Sequence, residues 1–94
     1  MELDELRTAV RRIDADMAAL FEKRMSLVRQ IGAYKVNHDL PVYDAQREEE
    51  NIRMLVSLLS DLADRPYFVR WYKTLMTVCR EAEKKIPGGR TRHG

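Results

Sequence analysis

One cysteine, Cys79, stands in 94 residues, so no internal disulfide framework can staple this chain, and a lone thiol suits a reducing compartment. Histidine is almost as scarce: His38 and His93 lie far apart, and no Cys/His cluster has the spacing of metal ligands. No apolar run approaches the roughly 20 residues that cross a bilayer. The N-terminus, Met1-Glu2-Leu3-Asp4-Glu5, is acidic where a signal peptide would be basic. These absences predict a soluble, cytoplasmic protein with no membrane partner. An excess of one charge is also missing. Seventeen Lys and Arg face fifteen Asp and Glu, a net charge of +2, and no basic face is interleaved with aromatics, which argues against a nucleic-acid binder such as an RNA-binding helical hairpin. Three prolines and four glycines leave few interruptions, and no strand alternation, repeat or low-complexity segment appears. The length allows one small domain, short enough that a second copy would help bury its apolar surface.

What is present is helical periodicity. Leu3, Leu6, Val10, Ile13, Met17 and Leu20 recur at alternating spacings of three and four, and the beat resumes at Leu27, Ile31 and Tyr34. The spacing predicts a first helix from Leu3 to Asn37, with Gly32 its one weak former at a cost of about 1 kcal/mol. Pro41 ends the run after Asn37-His38-Asp39-Leu40. Asp44 then offers an N-cap for a second helix, whose stripe is Ile52, Leu55, Leu59 and Leu62. A joint at Asp64-Arg65-Pro66 precedes a third helix carrying Phe68, Tyr72, Leu75 and Cys79 on one face and fading near Ile86. The folded domain is therefore placed at residues 1–86, with 87–94 a disordered tail after Pro87-Gly88-Gly89. At about 1.5 Å per residue the first helix spans roughly 50 Å, against about 30 Å for each of the others. Two short helices cannot cover that seam. The expected fold is all-α, three helices per chain, one long and two shorter, in an intertwined homodimeric helical bundle.

The missing step of the heptad falls on Arg24. A guanidinium there keeps its charge and needs an anion. Lys35 lies eleven residues on, three helical turns away, so both cations leave nearly the same face about 16 Å apart. Asp44, Arg47 and Glu48, at i, i+3 and i+4, share one face at the start of the second helix. The short reversal at 37–44 brings that trio near Lys35. Cations suited to anionic groups and carboxylates suited to hydroxyls would then border one pocket. Two blander readings stand beside this: Arg24 as a register-setting polar residue paired with a glutamate, and a plain dimeric bundle with no site.

Taken jointly, these residues resemble the all-helical class of chorismate mutases from about Leu6 to Glu83. The resemblance rests on Leu6-Arg7 with Ile13-Asp14, Glu22-Lys23-Arg24, Ile31-Gly32 followed by Lys35, Pro41-Val42-Tyr43-Asp44, and Arg47-Glu48. It implies an intertwined homodimer with two sites shared between chains, and conversion of chorismate to prephenate in phenylalanine and tyrosine biosynthesis by an intramolecular [3,3] rearrangement. No metal and no cofactor is implied. Arg7 and Arg24 are about 25 Å apart along one rigid helix, too far to clasp one small ligand. An antiparallel pair of first helices about a dyad near residue 18 would bring the second copy's Arg7 close to residue 29.

By this resemblance, Arg7 of the second copy and Arg24 grip the two carboxylates, and Lys35 reaches the ether oxygen and a carboxylate. Glu48, with the backbone near Asp44, receives the ring hydroxyl, and Arg47 orders the region by pairing with acids or substrate. Arg11, Arg12 and Arg29 read as solvated charges off the seam. The third helix departs from the family pattern. A small polar residue and, four residues later, a glutamine commonly face substrate there; this chain has Cys79 and Glu83. Cys79 reads equally as a packing residue, and Glu83 either points inward or belongs to the solvated end Glu81-Glu83-Lys84-Lys85. If inward, Glu83 must carry a proton to donate to the ether oxygen, so turnover would favour lower pH. Two rivals remain: an isochorismate pyruvate lyase of the same fold, and a non-catalytic dimeric regulatory helical module. A fusion or partner enzyme of the aromatic pathway is also compatible with the resemblance.

Overall fold

The computed structural model describes residues 1–86; the tail expected at 87–94 lies outside the described residues. Helix α1 runs Leu3–Asn37. Its first turn is closed by the backbone N–H of Glu2 donating to Glu5 Oε1 at 3.2 Å, and Asp4 and Glu5 lie against the positive end of the helix dipole. At its other end, Asp39 adopts a positive φ of 54°, a conformation that aspartate tolerates better than most residues. The N–H of Leu40 then returns to the Lys35 carbonyl at 2.8 Å. This knot folds the loop back along α1.

Helix α2 runs Ala45–Ser57, capped by Asp44, whose carboxylate accepts the N–H of Arg47 at 3.1 Å. It is shorter than its apolar stripe foretells. The chain leaves the helix after Ser57, and Leu59 and Leu62 fall beyond it. The N–H groups of Leu58 and Leu59 bond three residues back, to Leu55 and Val56, and tighten the helix end; Asp61 then accepts the N–H of Ala63 at 2.9 Å and starts a separate 3₁₀ turn, Leu62–Asp64. Helix α3 follows over Arg65–Lys84, with Pro66 in the first turn, where a missing N–H costs nothing.

Helix α3 is the keystone, packing against both α1 and α2. One core cluster joins Met25 and Val28 of α1 to Cys79; the other joins Ile52 of α2 to Tyr72 and Met76, and Leu75 packs against both. Gly32 is buried where α3 passes α1. A Cβ there would overlap Ile86 Cδ1 and come into ordinary contact with Glu83 Cγ at 3.4 Å, so the absent side chain makes room for Ile86 against α1.

The N-terminal half of α1 lacks such cover. Leu3, Leu6, Val10, Ile13, Met17 and Leu20 are all 45–61% exposed. The chain is accordingly elongated, 55 × 25 × 18 Å, with a radius of gyration of 16.6 Å where a compact domain of this length would have about 12 Å.

Candidate active site

A cavity of about 710 Å³ opens where the C-terminal half of α1, the 38–44 loop, the first turns of α2 and the last turns of α3 converge. That volume suits a small organic ligand. Arg24 enters it from α1 and is half-buried. Its Nη2 donates to the Tyr72 hydroxyl at 3.1 Å and its Nη1 to Cys79 Sγ at 2.8 Å, and the guanidinium carbon lies 5.6 Å from the centre of the Tyr72 ring. Burial works against the Arg24 charge. The hydrogen bond to Tyr72 and the nearby Cys79 and Tyr72 polar atoms outweigh it and hold the pKa above its ordinary value. The arm is thus fixed and charged, with N–H groups to spare for a ligand. Cys79 is buried, contacts Met25 Sδ at 3.8 Å, and serves Arg24 as a sulfur acceptor.

Lys35, three turns further along α1, reaches into the same cavity. Its Nζ donates to the Val42 carbonyl at 2.8 Å and to Glu83 Oε2 at 3.3 Å. Glu83 therefore points inward from α3 and is buried, 7% exposed. Asp44, Arg47 and Glu48 also border the cavity. Asp44 is committed to capping α2, while the guanidinium of Arg47 makes no hydrogen bond or ion pair among the described residues. The acid beside it is satisfied elsewhere. Arg80 Nη1 lies 2.5 Å from Glu48 Oε1 and 2.6 Å from Oε2, its Nη2 reaches Thr77 Oγ1 at 3.2 Å, and its plane covers the Tyr43 ring at 4.7 Å.

One chain thus gathers Arg24, Lys35, Asp44, Arg47, Glu48, Cys79 and Glu83 around one cavity. Arg7 does not border it and is exposed near the far end of α1. Sequence reasoning missed Arg80, which sits among Glu81, Lys84 and Lys85 and reads as a solvated charge. A signal was available: Met76, Cys79, Arg80 and Glu83 fall at i, i+3, i+4 and i+7, one face of α3. It also took Tyr72 for a packing residue and missed its hydroxyl as the anchor of Arg24. Among the described residues no cluster of His, Cys, Asp or Glu could hold a metal ion.

The family pattern described as chorismate mutase type II matches residues 6–84, spanning every element that builds this cavity. The chain belongs to that family. Among curated proteins, a bifunctional chorismate mutase/prephenate dehydratase of Aquifex aeolicus (strain VF5) is 30% identical over 89 residues, covering 90% of this chain and 25% of the relative. A protein named T-protein from Haemophilus influenzae (strain ATCC 51907 / DSM 11121 / KW20 / Rd) is 41% identical over 46 residues, 49% of this chain and 12% of the relative. The chain spans a quarter or less of the length of these relatives. No solved structure matches it significantly. Within the chorismate mutase family, the all-α three-helix architecture seen here is the expected one, and among the described residues no helix is long and apolar enough to cross a membrane.

Proposed function

We propose that this chain converts chorismate to prephenate, acting as a homodimer in which each site is completed by Arg7 of the second copy. The observation that carries the reading is the convergence of Arg24, Lys35, Glu48 and Glu83 on one cavity in a chain of this family. The reaction is an internal rearrangement: an ether bond breaks while a carbon–carbon bond forms. It asks the protein to hold a flexible dianion in its compact reactive shape and to stabilise negative charge growing on the ether oxygen.

Arg24, pinned by Tyr72 and Cys79 before any ligand arrives, binds one carboxylate without having to reorganise. Lys35 reaches the ether oxygen, where the gain in charge makes its contact stronger in the transition state than in the ground state. Glu48 accepts the ring hydroxyl. Glu83 holds Lys35 at 3.3 Å, and its carboxylate faces the charge that grows on the ether oxygen. The exposed seam from Leu3 to Leu20 supports the dimer, because an antiparallel second α1 would cover it and carry its Arg7 towards the stretch between Arg24 and Lys35.

The test is to incubate the purified chain with chorismate, following substrate loss against prephenate formation, and separately with isochorismate, following pyruvate release. Matching rates are expected. An inert chain, or release of pyruvate from isochorismate in place of prephenate formation, overturns the proposal.

A further inference from the structure

We infer that Arg80 is a positioning residue for Glu48: it neutralises that carboxylate and fixes its orientation, so that an acidic hydroxyl acceptor can stand in a site built for a dianion. The inference rests on the mutase reading above and concerns a residue that reading does not use.

A bare carboxylate at Glu48 is a liability in this cavity. It would repel the substrate's carboxylates and draw Arg24 and Lys35 away from them, since opposite charges inside a partly desolvated site attract far more strongly than in water. The structure removes the liability locally. Arg80 Nη1 lies within 2.6 Å of both Glu48 oxygens, and both side chains are largely withdrawn from solvent, at 26% and 22% exposure. A carboxylate offers about four lone-pair directions, so this one nitrogen leaves acceptor capacity for a ligand hydroxyl while cancelling the net charge.

Arg80 is itself fixed from two sides. Thr77 Oγ1, one helical turn earlier on α3, accepts from Nη2, and the Tyr43 ring lies against the guanidinium. Tyr43 belongs to the loop, Glu48 to α2 and Arg80 to α3, so a single side chain ties together three of the four segments that border the cavity. Lys35, donating to the Val42 carbonyl and to Glu83, ties the loop to α1 and α3. Each of the two inward carboxylates is thereby matched to one cation, while Arg24 and Arg47 pair with no acid among the described residues and stay available to an anionic ligand.

The experiment is a double-mutant cycle on kcat/KM for chorismate, with Arg80→Met, Glu48→Gln and the pair. Arg80→Met alone should lower kcat/KM by roughly tenfold, chiefly through KM, the size of coupling usual for contacting charged groups. In the Glu48→Gln background no charge needs neutralising, so the same substitution should cost less than about twofold. Equal losses in the two backgrounds, or no loss in either, overturn the inference, since a direct substrate contact or a merely structural role would ignore what stands at position 48. If Arg80→Met does not fold, Arg80→Gln in the same cycle gives the same two outcomes. A wild-type chain without turnover would overturn the mutase reading itself. An active wild type with an uncoupled Arg80 overturns only the inference about Arg80.

Discussion

Replacing Ile13 by glutamate should dissolve the dimer and extinguish turnover while leaving the chain's own fold intact. Ile13 is 58% exposed in the single chain, so a carboxylate there meets water and costs the monomer little. In the proposed dimer the same position lies in the seam. The six side chains from Leu3 to Leu20 retain about half their exposure, and covering each should stabilise the pair by roughly 1 kcal/mol, about 12 kcal/mol for the two chains. Association itself costs on the order of 4–15 kcal/mol, so the seam alone leaves a thin margin. Two glutamates, one per chain, would each replace apolar contacts in the seam with a desolvation cost of several kcal/mol. A loss of only about 4 kcal/mol already weakens dimerisation a thousandfold. Sedimentation should show a dimer for wild type and a monomer for Ile13→Glu at micromolar concentration, with unchanged helical circular dichroism per residue and no chorismate turnover. An off-seam control, Arg12→Glu, should remain dimeric and active. A variant Ile13→Glu that stays dimeric, or that is monomeric and fully active, would refute the reasoning.

Tyr72→Phe keeps the ring beneath Arg24 and removes only the hydroxyl 3.1 Å from Nη2; a hydrogen bond to a charged group contributes about 1.5–3 kcal/mol, so kcat/KM should fall about tenfold or more with the helical content unchanged, and unaltered kinetics would deny Tyr72 its role in holding Arg24. Glu83→Gln removes the acid that holds Lys35 and places a neutral donor in the cavity. Turnover of the variant should exceed wild type, because a neutral donor takes the place of a carboxylate that opposes the charge growing on the ether oxygen; unchanged turnover would take Glu83 out of the mechanism.

Periodicity made α1 legible. Its heptad, the acidic residues at its start and the proline beyond its end mark Leu3–Asn37, and the structure has those bounds. The end of α2 was not legible from the same signal. Leu59 and Leu62 continue a helical spacing, but the chain leaves the helix after Ser57 and Asp61 captures the Ala63 N–H to start a new turn, local hydrogen bonding that apolar periodicity does not register. The site divides along the same line. Arg24 stood out because a permanent charge interrupts an apolar seam, whereas for Glu83 the helical spacing after Cys79 left an inward and a solvated position open, and the structure turns it inward to Lys35. Arg80 escaped because its partner is 32 residues away on another helix and its neighbours in sequence are charged. Pairing between helices follows from three-dimensional packing and leaves no period to read.

The central claim, a mutase site shared between two chains, is tested most directly by mixing two inactive variants. Arg7→Ala and Arg24→Ala homodimers should each lack turnover, since every site in either one is missing a carboxylate clamp. After subunit exchange at equal concentrations, about half of the dimers are mixed, and each mixed dimer has one site with both arginines and one with neither, so about a quarter of the wild-type rate of prephenate formation should return. If each site were built within a single chain, no dimer in the mixture would contain an intact one, and the rate would stay at the level of the separate variants.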